Sequence, residues 1–496
     1  MLGGVAGLVA ALLALGVAQL VSGLLERPST PVVSVGGAFV DRTPRWLKEF
    51  AIRQFGQHDK QVLLAGVITT VLLGAVVIGV LAARRRWIGY AGVAALGLVA
   101  AGAAATRPTA TAVDVLPSLV AGAVGVAALA LLLRSTPVVH SAGRRSFLVF
   151  AGGSAAAAGV AALVGQRLTD RLDVGASRRA VALPKPVSPA PALPAGAQLA
   201  VPGITGFYTE PRDFYRVDTA LVVPQLSTDD WKLHIHGQVA EERTLRWDDL
   251  LAMPMIERDI TISCVSNEVG GNLAGNARWL GVPVKSLLQP LRPKTGADQV
   301  VSRSVDGMTI GTPTAALLDG RDAMLVVAMN GEPLRPEHGF PVRMVVPGLY
   351  GYVSACKWIT SMEVTTFAAY DPYWVQRGWK EQAPIKTFSR IDTPKPLSTS
   401  TPGTVAVGGV AWAQERGISA VEVRVDEGPW QKAELAASNT KDTWRQWLWR
   451  WTGATSGVHT LQVRATDGTG AVQPEKREAP FPSGATGWHS VVVRVG

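Results

Sequence analysis

The chain has 496 residues, of which 48% are hydrophobic and only 17% are charged, and this composition excludes a largely disordered protein. The formal net charge is +10, but residues 1–180 hold 17 Lys and Arg against 7 Asp and Glu, whereas residues 181–496 hold 31 of each. Because the whole positive excess lies in the more apolar part, the composition gives no support for a nucleic-acid partner.

Five apolar runs in the first third of the chain each lack charged residues and have the length of a membrane-spanning helix. They cover residues 3–25, 62–83, 87–105, 115–133 and 147–165. One such run could be a buried helix of a globular core. Five in succession, separated by short polar segments, predict a five-helix transmembrane region over residues 1–166 that lies in a lipid bilayer.

Arginines in the short loops indicate the orientation, because arginine-rich loops stay in the cytoplasm. Residues 84–86 are all arginine, and Arg134 with residues 144–145 borders the fourth loop, whereas the third loop carries only Arg107. This pattern predicts a multi-pass cell-membrane protein with a cytoplasmic N-terminus and an extracytoplasmic domain after residue 165. In the long first loop, RWLKEFAIRQF at residues 45–55 predicts an amphipathic helix on the membrane surface.

The fifth apolar run is preceded by SAGRRSFL at residues 141–148. This segment resembles a twin-arginine export signal, here in an internal position. That export route moves domains that are already folded, so the signal would predict a domain loaded with its cofactor in the cytoplasm. The alternative is an ordinary pair of arginines that fixes the orientation of the helix.

Two breaks in composition divide the rest of the chain. Residues 167–203 contain LPKPVSPAPALPAGAQLAVPG, which is rich in Pro and Ala and predicts a semi-extended linker. A second break, TPKPLSTSTPG, begins at residue 393 and separates residues 204–392 from residues 393–496. Each of these two pieces is long enough to form its own hydrophobic core.

The two pieces differ in their predicted elements. The larger mixes the strand-like runs TALVVP, KLHIHGQV, AMLVVAM and VRMVVPG with the helix-like stretches WDDLLAM and VKSLLQPL, which predicts an α+β domain. The smaller alternates apolar and polar residues in TVAVGGVAWA, AVEVRVDEG, WRQWLWRW, HTLQVRATD and HSVVVRV, which predicts an antiparallel β-sandwich. Its tryptophans at positions 444, 447, 449 and 451 are expected in the core rather than on a ligand platform.

The candidates for chemistry lie in the larger piece. Its two cysteines, Cys264 and Cys356, could form a disulfide, or one of them could bind a metal as a thiolate. CxxC, CxxCH and HExxH patterns are absent, which excludes zinc-finger, c-type haem and zincin sites. Cys264 is followed by a Gly- and Asn-rich loop that can present N–H groups to an anion. Together with His338, Arg343 and Lys357, a thiolate there suits a large anionic metal cofactor.

These residues lie in motifs that resemble the sulfite oxidase family of molybdenum–molybdopterin oxidoreductases. In chain order the motifs are DFYRVDTALVVP, WKLHIHG, TISCVSN, GNARWLGVPV, MNGEPLRPEHGFPVRMVVPG and KWITSMEV. GVAWAQERGISAVEVRVDEGPW and HTLQVRATDGTGAVQP further along resemble the family's Ig-like dimerisation domain. The resemblance runs from residue 213 to residue 474 and implies a multi-domain protein: the transmembrane region, a molybdopterin-binding oxidoreductase domain and an Ig-like sandwich that could form a homodimer.

The resemblance also implies roles for single residues. Cys264 matches the cysteine that ligates molybdenum, and the other matching positions contact the pterin or its phosphate. Those positions are Phe214, Tyr215, Arg216, Val217, Asp218, Asp306, His338, Arg343, Ala355, Cys356 and Lys357. The family often has His where this chain has Asp218, and one extra residue falls between Arg343 and Lys357. Cys356 is then expected to be a free thiol that lines the cofactor site.

The match is weaker for the substrate. Sulfite oxidases place arginines around the oxo-anion, and Arg216 matches one of them. A second arginine follows the ligating cysteine in CAGNRR-like sequences, whereas this chain has CVSNEVGG with Glu268. Because a carboxylate weakens the binding of a small dianion, sulfite is not the expected substrate. Tyr350 and Tyr352 are expected either to line the pocket or to pack in the core.

The resemblance implies an oxidoreductase in which oxygen-atom transfer at molybdenum is coupled to electron transfer. Since the sequence holds no haem or iron–sulfur motif, the electrons are expected to pass to or from a separate membrane or extracytoplasmic carrier. Two alternatives stay open. One is a reductase of sulfoxides, such as oxidised methionine in envelope proteins, and the other is a non-catalytic membrane-anchored binding protein.

Overall fold

A computed structural model describes residues 2–55, 59–134 and 141–496. The chain forms two compact units. Met1–Val174 and Asp218–Gln225 make up the first, which we call the helical unit, and Gly175–Val217 and Leu226–Gly496 make up the second, which we call the sheet unit. Each unit is described separately below.

The helical unit contains all five predicted apolar runs as helices. Its helices are α1 (Leu2–Leu24), α2 (Pro31–Arg42), α3 (Arg45–Phe55), α4 (Asp59–Arg84), α5 (Arg86–Ala105), α6 (Leu116–Arg134) and α7 (Ser141–Asp170). Five helical segments are long and apolar enough to cross a membrane: Leu2–Leu24, Lys60–Arg84, Arg86–Ala105, Ala112–Arg134 and Arg145–Ala180. The helical state of residues 45–55 is confirmed, whereas the side chains of residues 141–144, half of the twin-arginine pair among them, lie outside the described residues.

Small residues let the helices of this unit approach closely. A Cβ atom at Gly7 of α1 would lie 2.1 Å from the carbonyl oxygen of Ala75 in α4. A Cβ atom at Gly16 would lie 2.4 Å from the carbonyl oxygen of Ala158 in α7. Helix α1 therefore packs backbone to backbone against two neighbours, the arrangement that small residues favour between apolar helices.

The run TALVVP was predicted as a strand, and this prediction is wrong. The segment Asp218–Gln225 forms no strand and belongs to the helical unit. Leu221 is buried, and its Cδ1 atom would lie 3.0 Å from a Cβ atom at Gly36 of α2. The Lys60 ammonium bonds the Asp218 carboxylate and lies 2.6 Å from the carbonyl oxygen of Ala220. A short apolar run has a similar sequence pattern whether it is buried in a β-sheet or packs against helices, so the pattern alone does not distinguish the two.

The first part of the sheet unit confirms the predicted α+β class. Two sheets have the strand orders β2-β1-β10-β5-β6 and β3-β4-β7-β8, and β9 pairs with β7. The strands are β1 (Lys232–Gly237), β2 (Arg243–Arg246), β3 (Ile256–Ser263), β4 (Ala274–Pro283), β5 (Gln299–Ser304), β6 (Thr309–Pro313), β7 (Met324–Met329), β8 (Glu332–Pro333), β9 (Arg343–Val345) and β10 (Ile359–Thr365). Short helices connect them: α9 (Trp247–Leu251), α10 (Val284–Leu288), α11 (Thr314–Leu318) and α12 (Gly351–Ser354), after α8 (Gly175–Ala180). The core between them includes Leu233, Val300, Val327 and Ile359, all fully buried.

The second part, residues 388–496, consists of two sheets that share a core, and we call it the two-sheet region. The strands are β11 (Phe388–Thr393), β12 (Thr399–Ser400), β13 (Gly403–Trp412), β14 (Ile418–Val425), β15 (Gln431–Lys432), β16 (Glu434–Leu435), β17 (Arg445–Ala454), β18 (Gly457–Asp467) and β19 (His489–Val495). The sheet orders are β11-β13-β17-β16 and β12-β19-β18-β14-β15. Trp444, Trp447 and Trp451 are buried and Trp449 is partly buried, as core packing predicts.

The predicted domain boundary at residues 392/393 does not separate two folding units. Strand β11 crosses it and already pairs with β13, from Phe388 opposite Trp412 to Thr393 opposite Gly408. The Pro- and Ser-rich break at residues 393–403 therefore lies inside the two-sheet region and includes the short strand β12, which pairs with β19. Composition alone cannot distinguish such a segment from a linker.

The Pro- and Ala-rich segment predicted as a spacer is bound along the sheet unit. Ser188 forms a parallel bridge with Ile256 of β3. Glu257 donates its N–H to the carbonyl of Ser188 at 2.9 Å, and Val187 donates its N–H to the carbonyl of Met255 at 2.8 Å. Because β3 is an edge strand, its outer backbone groups need partners, and the segment supplies some of them.

Candidate active site

Strand β3 ends at Ser263, and the next ten residues, 264–273, form a closed turn that we call the cysteine loop. The Cys264 N–H donates to the carbonyl of Leu273 at 2.8 Å, and the Asn267 N–H donates to the carbonyl of Cys264 at 3.1 Å. The side-chain oxygen of Asn267 accepts the N–H of Leu273 at 2.8 Å. Burial raises the pKa of the Cys264 thiol, while hydrogen bonds from Ser266 oppose the rise. A thiolate at this buried position would therefore need a metal ion or another positive group to stabilise its charge.

Phe214 and Tyr215 pack beside the cysteine loop. Their rings stack with centroids 5.4 Å apart, and Phe214 also meets Trp279 edge to face at 5.7 Å. A Cβ atom at Gly275 would lie 2.6 Å from the Phe214 ring, so the absence of a side chain there makes room for the aromatic ring. Burial raises the pKa of Tyr215, and the nearby Cys264 adds to the effect, so the phenol stays neutral at pH 7.

Arg343, on β9, is a buried cation with few protein partners. One terminal nitrogen donates to the carbonyl of His338 at 3.3 Å, and the guanidinium lies over the Trp279 ring at 5.4 Å. The Nε atom is buried and has no hydrogen-bond partner among residues 2–55, 59–134 and 141–496. Burial lowers the pKa of Arg343 to about 10, and no carboxylate within the described ranges forms an ion pair with it. An uncompensated buried charge is costly, so this position favours an anionic ligand.

His338 and Lys357 lie on either side of the turn at Gly339, where a positive φ of 106° favours glycine. A Cβ atom at Gly339 would lie 3.0 Å from the Cβ of Arg343 and 3.1 Å from that of Lys357. His338 Nε2 lies 2.6 Å from the carbonyl oxygen of Pro211. Burial, with the charges of Arg343 and Lys357 acting in the same direction and the hydrogen bond to Pro211 opposing them, lowers the pKa of His338 to about 4. The imidazole is therefore neutral at pH 7 and donates its Nε2 proton to Pro211.

The end of the site is formed by the residues around Cys356. The Lys357 ammonium donates to the carbonyl of Glu337 at 3.3 Å and lies 4.6 Å from the centre of the Trp358 ring. Cys356 is buried, and burial raises its pKa, with the negative charge of Asp306 adding to the rise and Arg343 opposing it. Both cysteines are free, so the prediction of a free Cys356 thiol is confirmed.

Five other predicted positions have different surroundings. Asp306 accepts the N–H of Met308 at 3.2 Å, and Ala355 directly follows α12. Arg216 is partly exposed, and Val217 is 36% exposed. Asp218 belongs to the helical unit, where its carboxylate pairs with Lys60.

Two further buried polar groups are Asn267, which was not predicted as part of the site, and Tyr350, which was expected either to line the pocket or to pack in the core. Asn267 Nδ2 and the Tyr350 hydroxyl are buried and have no hydrogen-bond partner within the described residues. Asn267 follows Cys264 by three positions in the TISCVSN motif, so the motif itself carried a signal for it. Tyr350 is fully buried, whereas Tyr352 donates to the carbonyl of Lys380 at 2.6 Å and packs on Trp379. Glu268 in the same loop is exposed.

The residues present fit an anionic metal cofactor. They combine the buried thiol of Cys264 with two buried donors, Arg343 Nε and Asn267 Nδ2, that have no hydrogen-bond partner in the part of the chain that the structure describes. Native proteins rarely leave such donors unpaired. The described parts of the chain contain no group of three or more His, Cys, Asp or Glu side chains that could hold a metal ion. A metal at Cys264 would therefore take most of its ligands from a cofactor rather than from the protein.

The chain is similar in sequence to one protein family and to several sulfite oxidases. Residues 220–374 match the family described as "Oxidoreductase molybdopterin binding domain". The mitochondrial sulfite oxidase of Drosophila melanogaster is 30% identical over 328 residues, which cover 55% of this chain and 56% of that protein. The mitochondrial sulfite oxidase of Rattus norvegicus is 28% identical over 345 residues, covering 59% of this chain and 62% of that protein. The chain thus spans little more than half the length of these relatives.

Two further matches extend the comparison to bacterial proteins. An uncharacterised oxidoreductase of Bacillus subtilis is 33% identical over 149 residues, which cover 30% of this chain and 72% of that protein. Among solved structures, the sulfane dehydrogenase SoxCD from Paracoccus pantotrophus has a TM-score of 0.49 and 24% identity, with 55% of this chain and 76% of that chain covered.

Proposed function

Since this chain belongs to the sulfite oxidase family of molybdopterin oxidoreductases, we propose that its sheet unit uses a molybdenum–molybdopterin cofactor to catalyse oxygen-atom transfer coupled to electron transfer. When bound, this group supplies the redox and oxygen-transfer chemistry. The observation that carries the proposal is Arg343, a buried guanidinium without a carboxylate partner in the described chain, in the same cluster as the buried thiol of Cys264.

Within this proposal the protein residues bind and orient. Cys264 is the metal ligand, and its thiolate is stabilised by the metal in a site that otherwise favours the neutral thiol. Arg343 and Lys357 neutralise the phosphate of the cofactor, and the carbonyl of His338 holds the Arg343 guanidinium. The neighbouring positions Phe214, Tyr215, Asp306, Ala355 and Cys356 complete the cofactor pocket.

We further propose that the substrate is not a small dianion. Glu268 of the cysteine loop is a carboxylate near the proposed metal ligand, and Arg216 is the remaining candidate cation for orienting a substrate. This balance favours a neutral substrate over sulfite, because a carboxylate repels a dianion. A sulfoxide, such as oxidised methionine in envelope proteins, fits this requirement, in which case the enzyme acts as a reductase.

The proposal includes the setting of the enzyme. Five helical segments of suitable length and the arginine-rich loops support a multi-pass cell-membrane protein with a cytoplasmic N-terminus and an extracytoplasmic active site. A separate membrane or extracytoplasmic carrier would exchange the electrons. The two-sheet region would be the Ig-like domain of the family, and a homodimer would form through it.

The two buried cysteines allow a matched test. The full chain is produced in a host that makes the cofactor, and molybdenum and pterin are measured in the unchanged protein, in Cys264→Ser and in Cys356→Ser. We expect Cys264→Ser to lose catalytic turnover and the metal–thiolate signature in X-ray absorption. Cys356→Ser should keep that signature, because the proposal does not make Cys356 a metal ligand. Sulfite oxidation and methionine sulfoxide reduction are assayed on the loaded protein. Absence of molybdenum and pterin would contradict the enzyme proposal and favour a non-catalytic binding protein.

A further inference from the structure

The strand that leads to Cys264 depends on the two-sheet region for its hydrogen bonds. β3 is an edge strand, and the backbone of Thr261 faces away from β4. Thr261 donates its N–H to the carbonyl of Asp442 at 2.9 Å, and its own carbonyl accepts from the side chain of Gln414 at 2.6 Å. Its hydroxyl accepts the N–H of Trp444 at 2.7 Å. The two-sheet region therefore fixes the strand three residues before the proposed metal ligand.

The cysteine loop is also bound from the same side. Arg390 of β11 donates from Nη1 to the carbonyl of Gly271 at 2.8 Å. The rest of its guanidinium is fixed, because Nε donates to Asp392 at 2.6 Å and Nη2 donates to the hydroxyl of Thr205 at 2.8 Å. Arg390 is 8% exposed. It therefore acts as a rigid donor that can hold the loop carbonyl in one position.

A second contact lies one residue earlier in the loop. Gly270 has a φ of 81°, and a Cβ atom there would lie 2.3 Å from Nε2 of His489. His489, on β19, is itself held, because its Nδ1 atom accepts the N–H of Ile391 at 3.0 Å. The imidazole thus fills the space beside the glycine, and any side chain at residue 270 would meet it.

The contacts from Arg390 and His489 lie at the tip of the cysteine loop, which has few hydrogen bonds within the loop itself. The loop is closed at its base by Cys264 and Leu273, whereas its tip has one internal backbone bond, from the N–H of Gly271 to the carbonyl of Glu268 at 2.8 Å. Two adjacent glycines at the tip, residues 270 and 271, allow many backbone conformations. The contacts of Arg390 and His489 with the tip can therefore restrict the cysteine loop to one conformation.

We propose that Arg390 and His489 are positioning residues of the active site, which fix the cysteine loop and thereby the placement of Asn267 and Glu268 beside the substrate. This inference rests on the proposed function of Cys264 as the metal ligand. The two-sheet region then shapes substrate binding through β11 and β19.

Two glycines with similar backbones give a matched test. Gly270→Ala places a Cβ atom against His489, whereas Gly296→Ala imposes similar backbone strain, at a φ of 89°, where no atom lies within 4 Å. Both variants are made in the full chain, and hydrogen exchange of residues 264–273 is followed by mass spectrometry. We expect faster exchange in the loop of Gly270→Ala only. Equal exchange in the two variants would overturn the inference, and this readout does not depend on turnover.

The catalytic consequence is measured on the same variants with sulfite or methionine sulfoxide, whichever the loaded protein turns over. We expect Gly270→Ala to raise KM at least about tenfold, with a smaller change in kcat and unchanged molybdenum content, because a displaced loop misplaces substrate contacts. Arg390→Lys keeps a positive charge beside Asp392, but the shorter side chain should lose the hydrogen bond to the carbonyl of Gly271. We expect this variant to raise KM in the same way. Faster exchange with unchanged KM would overturn the link to substrate binding. Absence of molybdenum in the unchanged protein would instead contradict the proposed function and leave the exchange result standing.

Discussion

The proposed cofactor pocket and the junction between the cysteine loop and the two-sheet region each contain a buried arginine, and the two arginines differ in their hydrogen-bond partners. Arg390, at the junction, has a carboxylate, a hydroxyl and a carbonyl as partners. Arg343, in the proposed pocket, has one carbonyl at 3.3 Å, and its Nε atom has no hydrogen-bond partner among the described residues. Burial alone therefore does not distinguish an arginine that stabilises the fold from one that is available to bind a ligand. The hydrogen-bond and ion-pair partners of its guanidinium do distinguish them.

The largest effect is expected at the junction. Arg390→Met should destabilise the protein by about 3–5 kcal/mol, because it leaves the buried carboxylate of Asp392 without its cation. The free energy of unfolding of the full chain is measured by urea titration in detergent, with and without cofactor. A loss below about 1 kcal/mol would mean that the junction pair is effectively solvated, and the contrast between the two arginines would disappear.

The same substitution in the pocket should behave differently. Arg343→Met should leave the cofactor-free protein as stable as before or more stable, because it removes a buried charge that has no carboxylate partner. Cofactor binding should weaken by about 1.5–3 kcal/mol, the range for hydrogen bonds to charged groups. Molybdenum content and unfolding are measured together. Strong destabilisation of the cofactor-free protein would show that Arg343 serves the fold and would weaken the proposed function.

The smallest effect concerns a carboxylate at the junction. Burial, together with the charges of Glu415 and Asp322, raises the pKa of Asp442 to about 6, against the opposing effects of the Glu415 N–H and of Lys441. Because the unfolded value is about 3.9, the folded protein binds more protons than the unfolded chain between about pH 4 and pH 6, so this group lowers stability as the pH rises through that window. Asp442→Asn should remove this slope and raise the free energy of unfolding at pH 7 by about 1–2 kcal/mol, less than the full pKa shift would give, because Asp442 is partly exposed and solvent screens its charge.

The pH dependence itself is the test of that expectation. The asparagine can still accept the N–H of Glu415, which lies 3.0 Å from Oδ1 in the structure, so the backbone contact is retained. Unfolding of both proteins is compared at several pH values between 4 and 7. Parallel curves would show that Asp442 titrates in the folded protein as it does in the unfolded chain.

Local pattern predicted a large part of the fold and of the pocket. The five apolar runs became helices, and the alternating runs became strands such as β13 and β18, because periodicity reports which face is buried. Cys264 and Arg343 were identified from their motifs, and in the structure both lie near Tyr215, while Arg343 also lies near His338.

The remainder depended on contacts between residues far apart in the chain. The segment Asp218–Gln225 reads as a strand but packs with the helical unit, and β11 crosses a break in composition because its partner is β13. The contacts of Arg390 and His489 with the cysteine loop join residues more than one hundred positions apart. No local spacing carries that information, since the partners become neighbours only in the folded chain.

The contact between His489 and Gly270 also bears on the order of events during biosynthesis. A ribosome releases the cysteine loop well before it releases β19, so the loop emerges without the imidazole that packs against it. If His489 fixes the loop as we propose, we expect the loop to take the conformation seen in the structure once β19 has joined its sheet. With the proposed role of Cys264 as metal ligand, metal insertion would then follow completion of the two-sheet region, and a chain interrupted before β19 would take up less metal.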